Sequence, residues 1–269
     1  MELHGNNPAQ LVVAIIPARY SSTRLPGKLM LEVAGKPLVL HTLDQAKKVP
    51  IIDAVLVATD DMRIYAAVKE AGGQAVMTSP THLSGTDRIA EAAREFAEDS
   101  IIVNVQGDEP LIPTSTIQIA VKAIQHDPVA DIVTTFEPIA DYKEVFDPGV
   151  VKVVLDSEDY AMYFSRSPIP YLRDEANEVG GLEEALRSQS QLLGRFKKHT
   201  GMYVYRNRFL QKLTTLDQTD LERYEMLEQL RALQNQAKIK LIEATEKSIG
   251  VDTDEDLNRV REILEARTQ

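Results

Sequence analysis

With 269 residues, 43% of them hydrophobic and 26% charged, the chain has the make-up of a folded globular protein with room for a sizeable core. Its 41 acidic residues against 30 basic ones leave a formal charge of −11, which argues against nonspecific nucleic-acid binding and still allows a small anionic substrate. The absence of cysteine rules out disulfides and thiolate metal sites, and no apolar run approaches the roughly 20 residues of a membrane helix, so a cytoplasmic protein without membrane contact is expected.

The first half alternates strand and helix. Residues 11–16 read as a strand and 38–48 as a helix; 54–58 is a strand and 62–71 a helix. A short strand at 74–77 precedes a helix over 86–96. The continuous apolar run 101–105 suits a central parallel strand, and a helix over 114–125 and a strand at 131–135 follow. This alternation predicts a mostly parallel sheet covered on both faces. Beyond Pro138 the pattern changes. Strands at 150–155 and 160–164 form a hairpin through Asp156-Ser157-Glu158, and Ser167–Tyr171 is an extended loop. Residues 174–198 are polar and uneven, and read as a mobile or partly helical surface insertion. A strand resumes at 201–205. Residues 221–233 predict one strong helix, and 253–267 a closing helix with Thr253 as its cap. One domain is expected, with a nucleotide-binding half at about 11–138, an insertion at about 139–215, and a C-terminal part at about 216–269 that completes the site.

Ligands of open parallel sheets lie beyond the carboxyl ends of the strands. Three polar clusters stand there: Arg19 to Lys28, Thr59-Asp60-Asp61, and Gln106-Gly107-Asp108-Glu109. Three such ends imply one shared crevice. Arg19, Arg24 and Lys28 suit a polyphosphate, because arginine offers paired donors and lysine a compact charge. The Walker spacing is absent. Asp108 suits a magnesium ion bridging phosphates, or a turn before a helix. Asp252 is open in the same way, as metal ligand or helix-cap residue. Ser84-Gly-Thr-Asp-Arg88 opens a helix, where Ser84 reads first as a cap. His199 fits a base, a ligand contact or a structural histidine. Arg166 fits a substrate carboxylate or an acidic neighbour, and Glu228 and Gln229 a solvated helix face.

Taken together these residues form a recognisable set. The chain resembles the 3-deoxy-D-manno-octulosonate (Kdo) cytidylyltransferases from residue 11 to 267. The matching blocks are Ile16-Pro-Ala-Arg-Tyr-Ser-Ser-Thr-Arg-Leu-Pro-Gly-Lys28, Val57-Ala-Thr-Asp60, Ser84-Gly-Thr-Asp-Arg88 and Val103-Asn-Val-Gln-Gly-Asp-Glu-Pro110. Val151-Lys-Val-Val154, Tyr163-Phe-Ser-Arg166, Glu225-Met-Leu-Glu-Gln-Leu-Arg231 and Gly250-Val-Asp-Thr253 follow in order. The resemblance implies a nucleotide-diphospho-sugar-transferase-like α/β fold, a homodimer, and CMP transfer from CTP to Kdo with Mg2+, for lipopolysaccharide synthesis. It implies that Arg19, Arg24 and Lys28 bind the CTP phosphates, that Ser22 also binds the nucleotide, and that Ser84, Gly85, Arg88 and Gln106 line the nucleotide pocket, Gln106 also reaching the sugar. Asp108 and Asp252 would hold magnesium and, with Arg19 and Lys28, carry the chemistry. Arg166, His199, Tyr203, Glu228 and Gln229 would bind the sugar acid. The family block Arg-His-Leu-Gly-Ile-Tyr reads Lys198-His-Thr-Gly-Met-Tyr203 here, and residues 174–197 form a longer stretch than the family's. Two other readings remain: a cytidylyltransferase for another sugar acid (8-amino-Kdo or sialic acid), and a CTP-binding sensor without catalysis.

Overall fold

The computed structural model describes residues 10–21 and 25–266. Its strands are β1 (Val12–Ala18), β2 (Glu32–Val33), β3 (Lys36–Pro37), β4 (Ala54–Thr59), β5 (Gln74–Met77) and β6 (Ile101–Asn104). They continue with β7 (Ile132–Pro138), β8 (Lys152–Leu155), β9 (Ala161–Ser165), β10 (Lys197–Arg206) and β11 (Ile239–Glu243). The chain divides into two compact units. One takes the chain up to Gln125, Met202–Thr214 and everything from Thr245 on; the other takes His126–Gly201 and Thr215–Ala244.

In the first unit the sheet order is β10-β6-β1-β4-β5. β1 runs parallel to both neighbours, with Val13 opposite Ala54 and Ala14 opposite Val103. Residues 12 to 16 are all at most 2% exposed, so successive side chains, which point to opposite faces, are covered on both. That double coverage is why β1 reads as an unbroken apolar run. The last part of β10 closes this edge antiparallel to β6, with Tyr203 opposite Asn104. Because β1, β4 and β6 are parallel, their carboxyl ends share one edge of the sheet. Two helices that start near this edge are capped by side chains. Asp61 accepts from the backbone N–H of Arg63 at the start of Met62–Glu70, and Ser84 and Asp87 form a reciprocal capping box on Gly85–Ala93.

In the second unit β11 lies parallel to β7, which neighbours β10, and β8 and β9 form the expected antiparallel hairpin. The stretch 174–198, expected as a mobile or partly helical surface insertion, is partly helical and adds to a core. Helices Arg173–Val179 and Leu182–Ser188 and a 3-10 turn at Ser190–Arg195 bury Ala176, Leu182, Ala185, Leu186 and Phe196 against Ile139 and Val145. Each large side chain buried there contributes roughly 2 kcal/mol. The stretch looked uneven because its apolar residues sit in three short segments, none long enough to show a helical period. The helix expected over 221–233 is two, Asp220–Glu225 and Gln229–Gln234, separated at Met226, whose φ of 52° is left-handed. Finally, β11 had no counterpart in the sequence reading. It alternates Ile239 and Leu241, both buried, with Lys240 and Ile242, too short a run to stand out.

Candidate active site

The turn after β1 is built around Gly27. Its φ of +68° favours glycine, and its N–H donates to the Tyr20 carbonyl at 3.2 Å, closing the loop on itself. The Arg63 guanidinium stacks 3.3 Å from the centroid of the Tyr20 ring. Lys28 opens the 3-10 turn Lys28–Met30 directly after this glycine. Its ammonium donates to a carboxylate oxygen of Asp108, to Asp252 Oδ1 at 2.9 Å and to the Val251 carbonyl at 2.9 Å. A lysine has three N–H donors, and all three are taken. Burial works against the charge, but Asp108 and then Asp252 hold the ammonium's pKa above the ordinary lysine value.

Two features bring Asp108 and Asp252 to the same ammonium. A Cβ added at Gly107 would lie 3.0 Å from the Pro17 carbonyl and 3.2 Å from Leu29, so glycine lets this loop press against the end of β1 without displacing either. The Val251 N–H then donates to the Asp108 carbonyl at 2.9 Å, tying the two loops together. Asp252 stands just before the helix Asp254–Ala266. Thr253 and Asp256 cap that helix reciprocally, which leaves the Asp252 carboxylate out of the cap. Two carboxylates that already share one cation form a hard oxygen donor set of the kind a divalent ion takes together with phosphate and water. The residues present therefore fit such an ion.

The other residues expected on the nucleotide side have these surroundings. Arg19 is exposed and has no hydrogen-bond or ion-pair partner among the described residues. Ser22 and Arg24 lie outside the described residues. Ser84 is occupied as a cap, as its position suggested. Gly85 begins the helix in ordinary contact with Pro17, 3.6 Å from a would-be Cβ. Arg88 is 3% exposed, and its guanidinium donates to Thr78 Oγ1 at 2.5 Å and to Asp60 at 2.8 Å, so it braces the loop after β4. Gln106 donates its amide to Asn104 Oδ1 at 3.2 Å. Tyr203, on β10, stacks on Tyr205 with ring centroids 5.7 Å apart.

In the second unit the Arg166 guanidinium pairs with no acidic side chain among the described residues. That group donates to backbone carbonyls: Glu225 at 2.6 Å, Pro148 at 2.7 Å and Met226 at 3.4 Å. Glu225 answers with its carboxylate, which accepts from Ser165 Oγ at 2.6 Å and from the Arg166 N–H at 2.9 Å. His199 packs edge-on against Phe164, ring centroids 5.0 Å apart, with Nε2 3.0 Å from Thr134 Oγ1. The residue keeps some exposed surface, yet burial of the ring pushes its pKa down to about 3. It is a neutral imidazole at ordinary pH. Glu228 precedes the helix Gln229–Gln234 and faces Arg231 at 3.7 Å, and Gln229 is 7% exposed. Sequence reading assigned no role to Lys152 or Glu225. The signal for Lys152 was a lysine inside the apolar strand Val151-Lys-Val-Val154.

A mostly parallel sheet whose strand ends gather a lysine and two carboxylates has the plan of a nucleotide-transferring α/β enzyme. The comparisons agree: the family model described as cytidylyltransferase matches residues 13–239. A 3-deoxy-manno-octulosonate cytidylyltransferase of Trichlorobacter lovleyi is 45% identical over 93% of this chain and 97% of its own. One of Geobacter sulfurreducens is 46% identical over 94% and 99%. The solved structure of a CMP:2-keto-3-deoxy-manno-octonic acid synthetase complexed with CTP superposes with a TM-score of 0.84 at 37% identity, covering 96% of this chain and 99% of that one. A 4-diphosphocytidyl-2C-methyl-D-erythritol synthase from Anaerococcus prevotii shares the fold, with a TM-score of 0.59 at 16% identity. This chain belongs to the 3-deoxy-manno-octulosonate cytidylyltransferase family.

Proposed function

We propose that this chain transfers CMP from CTP to Kdo, giving CMP-Kdo and pyrophosphate, the activation step that supplies Kdo for lipopolysaccharide. The observation that carries this reading is the Lys28–Asp108–Asp252 cluster at the strand ends, in a chain similar over nearly its whole length to enzymes of that name. The anomeric hydroxyl of Kdo attacks the α-phosphorus. The bond from that phosphorus to the bridging oxygen breaks, pyrophosphate leaves in line, and the hydroxyl proton passes to solvent. The protein's work is to neutralise charge and to place the hydroxyl. Arg19, exposed and unpaired among the described residues, is available to the phosphates, which Arg24 also binds on this reading. Lys28 gives up one of its three acceptors to take a phosphate oxygen. Asp108 and Asp252 would hold magnesium, which when bound screens the phosphates and lowers the hydroxyl's pKa. Gln106, Ser84, Gly85 and Arg88 belong to the nucleotide side. On the sugar side Arg166 meets the carboxylate with its uncommitted N–H groups. The neutral imidazole of His199, with Tyr203, Glu228 and Gln229, orients the hydroxyls.

The same reading makes the protein a cytoplasmic homodimer, with nucleotide-side residues at about 11–138, an insertion at about 139–215 and a completing segment at about 216–269. No helix among the described residues is long and apolar enough to cross a membrane. Pyrophosphate release from CTP and Mg2+ with Kdo, 8-amino-Kdo or sialic acid in parallel tests the assignment. Turnover highest with Kdo is expected. Turnover only with another acid reassigns the substrate, and CTP binding without turnover makes the chain a sensor.

A further inference from the structure

Lys152 is among the largest wholly buried side chains of the described residues, at 0% exposure, and it is a cation. Its Nζ donates to the carbonyls of Asp147 at 2.9 Å, Val150 at 2.6 Å and Arg166 at 2.7 Å. All three donors are spent on peptide oxygens, and no carboxylate pairs with the ammonium among the described residues. Burying an ammonium costs several kcal/mol unless each donor is matched. An apolar strand such as Val151-Lys-Val-Val154 could have filled the space with leucine or methionine. A lysine walled in by carbonyls cannot touch a substrate, so its use is what it holds in place.

What it holds is the surroundings of Arg166. The segment Asp147–Val150 receives two Lys152 bonds and, at the Pro148 carbonyl, one from the Arg166 guanidinium at 2.7 Å. The Arg166 carbonyl accepts from Lys152, while its N–H donates to Glu225. The residue before Lys152 accepts from the backbone of His199, Val151 carbonyl to His199 N–H, at 2.8 Å. Three blocks distant in sequence, 147–152, 165–166 and 225–226, are thus knotted by two cations and one carboxylate.

We propose that Lys152, with Glu225, is the positioning pair of the sugar-acid site: it fixes the backbone on both sides of Arg166 so that the guanidinium is presented to the substrate carboxylate. This rests on the reading that Arg166 meets the sugar acid.

The experiment is a double-mutant cycle on pyrophosphate release, using wild type, Lys152→Met, Arg166→Ala and the double variant, with CTP binding measured alongside by calorimetry. Lys152→Met is expected to raise the KM for Kdo about tenfold, the scale of one lost charge-assisted hydrogen bond. The CTP dissociation constant is expected to stay unchanged. Because Lys152 acts through Arg166, the double variant is expected to be no worse than Arg166→Ala alone. Penalties that simply multiply would mean two independent defects, and would overturn the proposal. A loss of CTP binding together with Kdo binding would overturn it too, by showing a general structural role. Glu225→Gln, which keeps the size of the side chain, goes through the same cycle, so the knot is tested even where Lys152→Met does not fold. A wild-type chain that turns over another sugar acid but not Kdo overturns the substrate reading instead, and the cycle is then read on the acid that reacts.

Discussion

Lys28 shows how little freedom a single residue has at this site. Its three N–H groups meet three acceptors, two of them the carboxylates of Asp108 and Asp252. Asp108→Asn keeps the shape and removes one of those charges. It is expected to abolish measurable pyrophosphate release while the melting temperature moves by only a few degrees, since one partly exposed ion pair is worth about 1 kcal/mol. Near-normal turnover would remove Asp108 from the chemistry. His199 makes a prediction of a different kind. Its folded pKa of about 3 lies below the ordinary 6.5, so the unfolded chain takes up a proton first as pH falls. The stability its neutral ring contributes is whole above pH 6.5 and drains away between there and pH 3, at up to about 1.4 kcal/mol per pH unit. Denaturant unfolding at pH 7 and pH 5 should therefore show wild type losing ground to His199→Gln; parallel losses would contradict the buried imidazole. The meeting of Lys28 and Asp108 was legible in sequence because both follow parallel strands whose carboxyl ends share one edge. Lys152 and Glu225 were not, because nothing in a linear motif distinguishes a side chain that faces a ligand from one that holds a neighbour's backbone.

At the scale of elements, the break between helices Asp220–Glu225 and Gln229–Gln234 carries the consequence. A periodic apolar pattern predicts one helix, and the pattern is present. The chain nevertheless turns at Met226, whose side chain is 72% exposed and so adds little packing of its own. The turn frees the Glu225 and Met226 carbonyls, which an unbroken helix would bond internally, for the Arg166 guanidinium. Left-handed φ costs a residue with a Cβ about 1–2 kcal/mol, and a β-branched one more. Met226→Val is therefore expected to be less stable than Met226→Gly by at least about 1 kcal/mol in urea unfolding. Equal stabilities would mean that the turn relaxes when the side chain changes. In the first unit β1 and β6 were legible to within two residues because both are buried along nearly their whole length. The strands missed, β2, β3 and β11, and the helices of 173–195, expected only as partly helical, are all short.

At the scale of the whole molecule, the two compact units divide the proposed work. The phosphate-side residues Lys28, Asp108 and Asp252 belong to one, and Arg166, His199, Glu228 and Gln229 to the other. Hydrogen exchange should report that division. CTP with Mg2+ is expected to protect amides around 27–30, 106–109 and 250–253, and the sugar acid those around 148–152, 165–167 and 225–230. Ligands bound to native structure slow local opening in proportion to their occupancy. Sugar-acid protection confined to the first set would reassign the sugar side.

The ion pair between Lys28 and Asp252 spans 224 positions of sequence. Protein synthesis runs from the amino end, so the ammonium is made long before the carboxylate that shares it. The Lys28–Asp108–Asp252 cluster is therefore complete only once residue 252 has been made. A chain cut short before that residue lacks one of the two carboxylates proposed to hold magnesium.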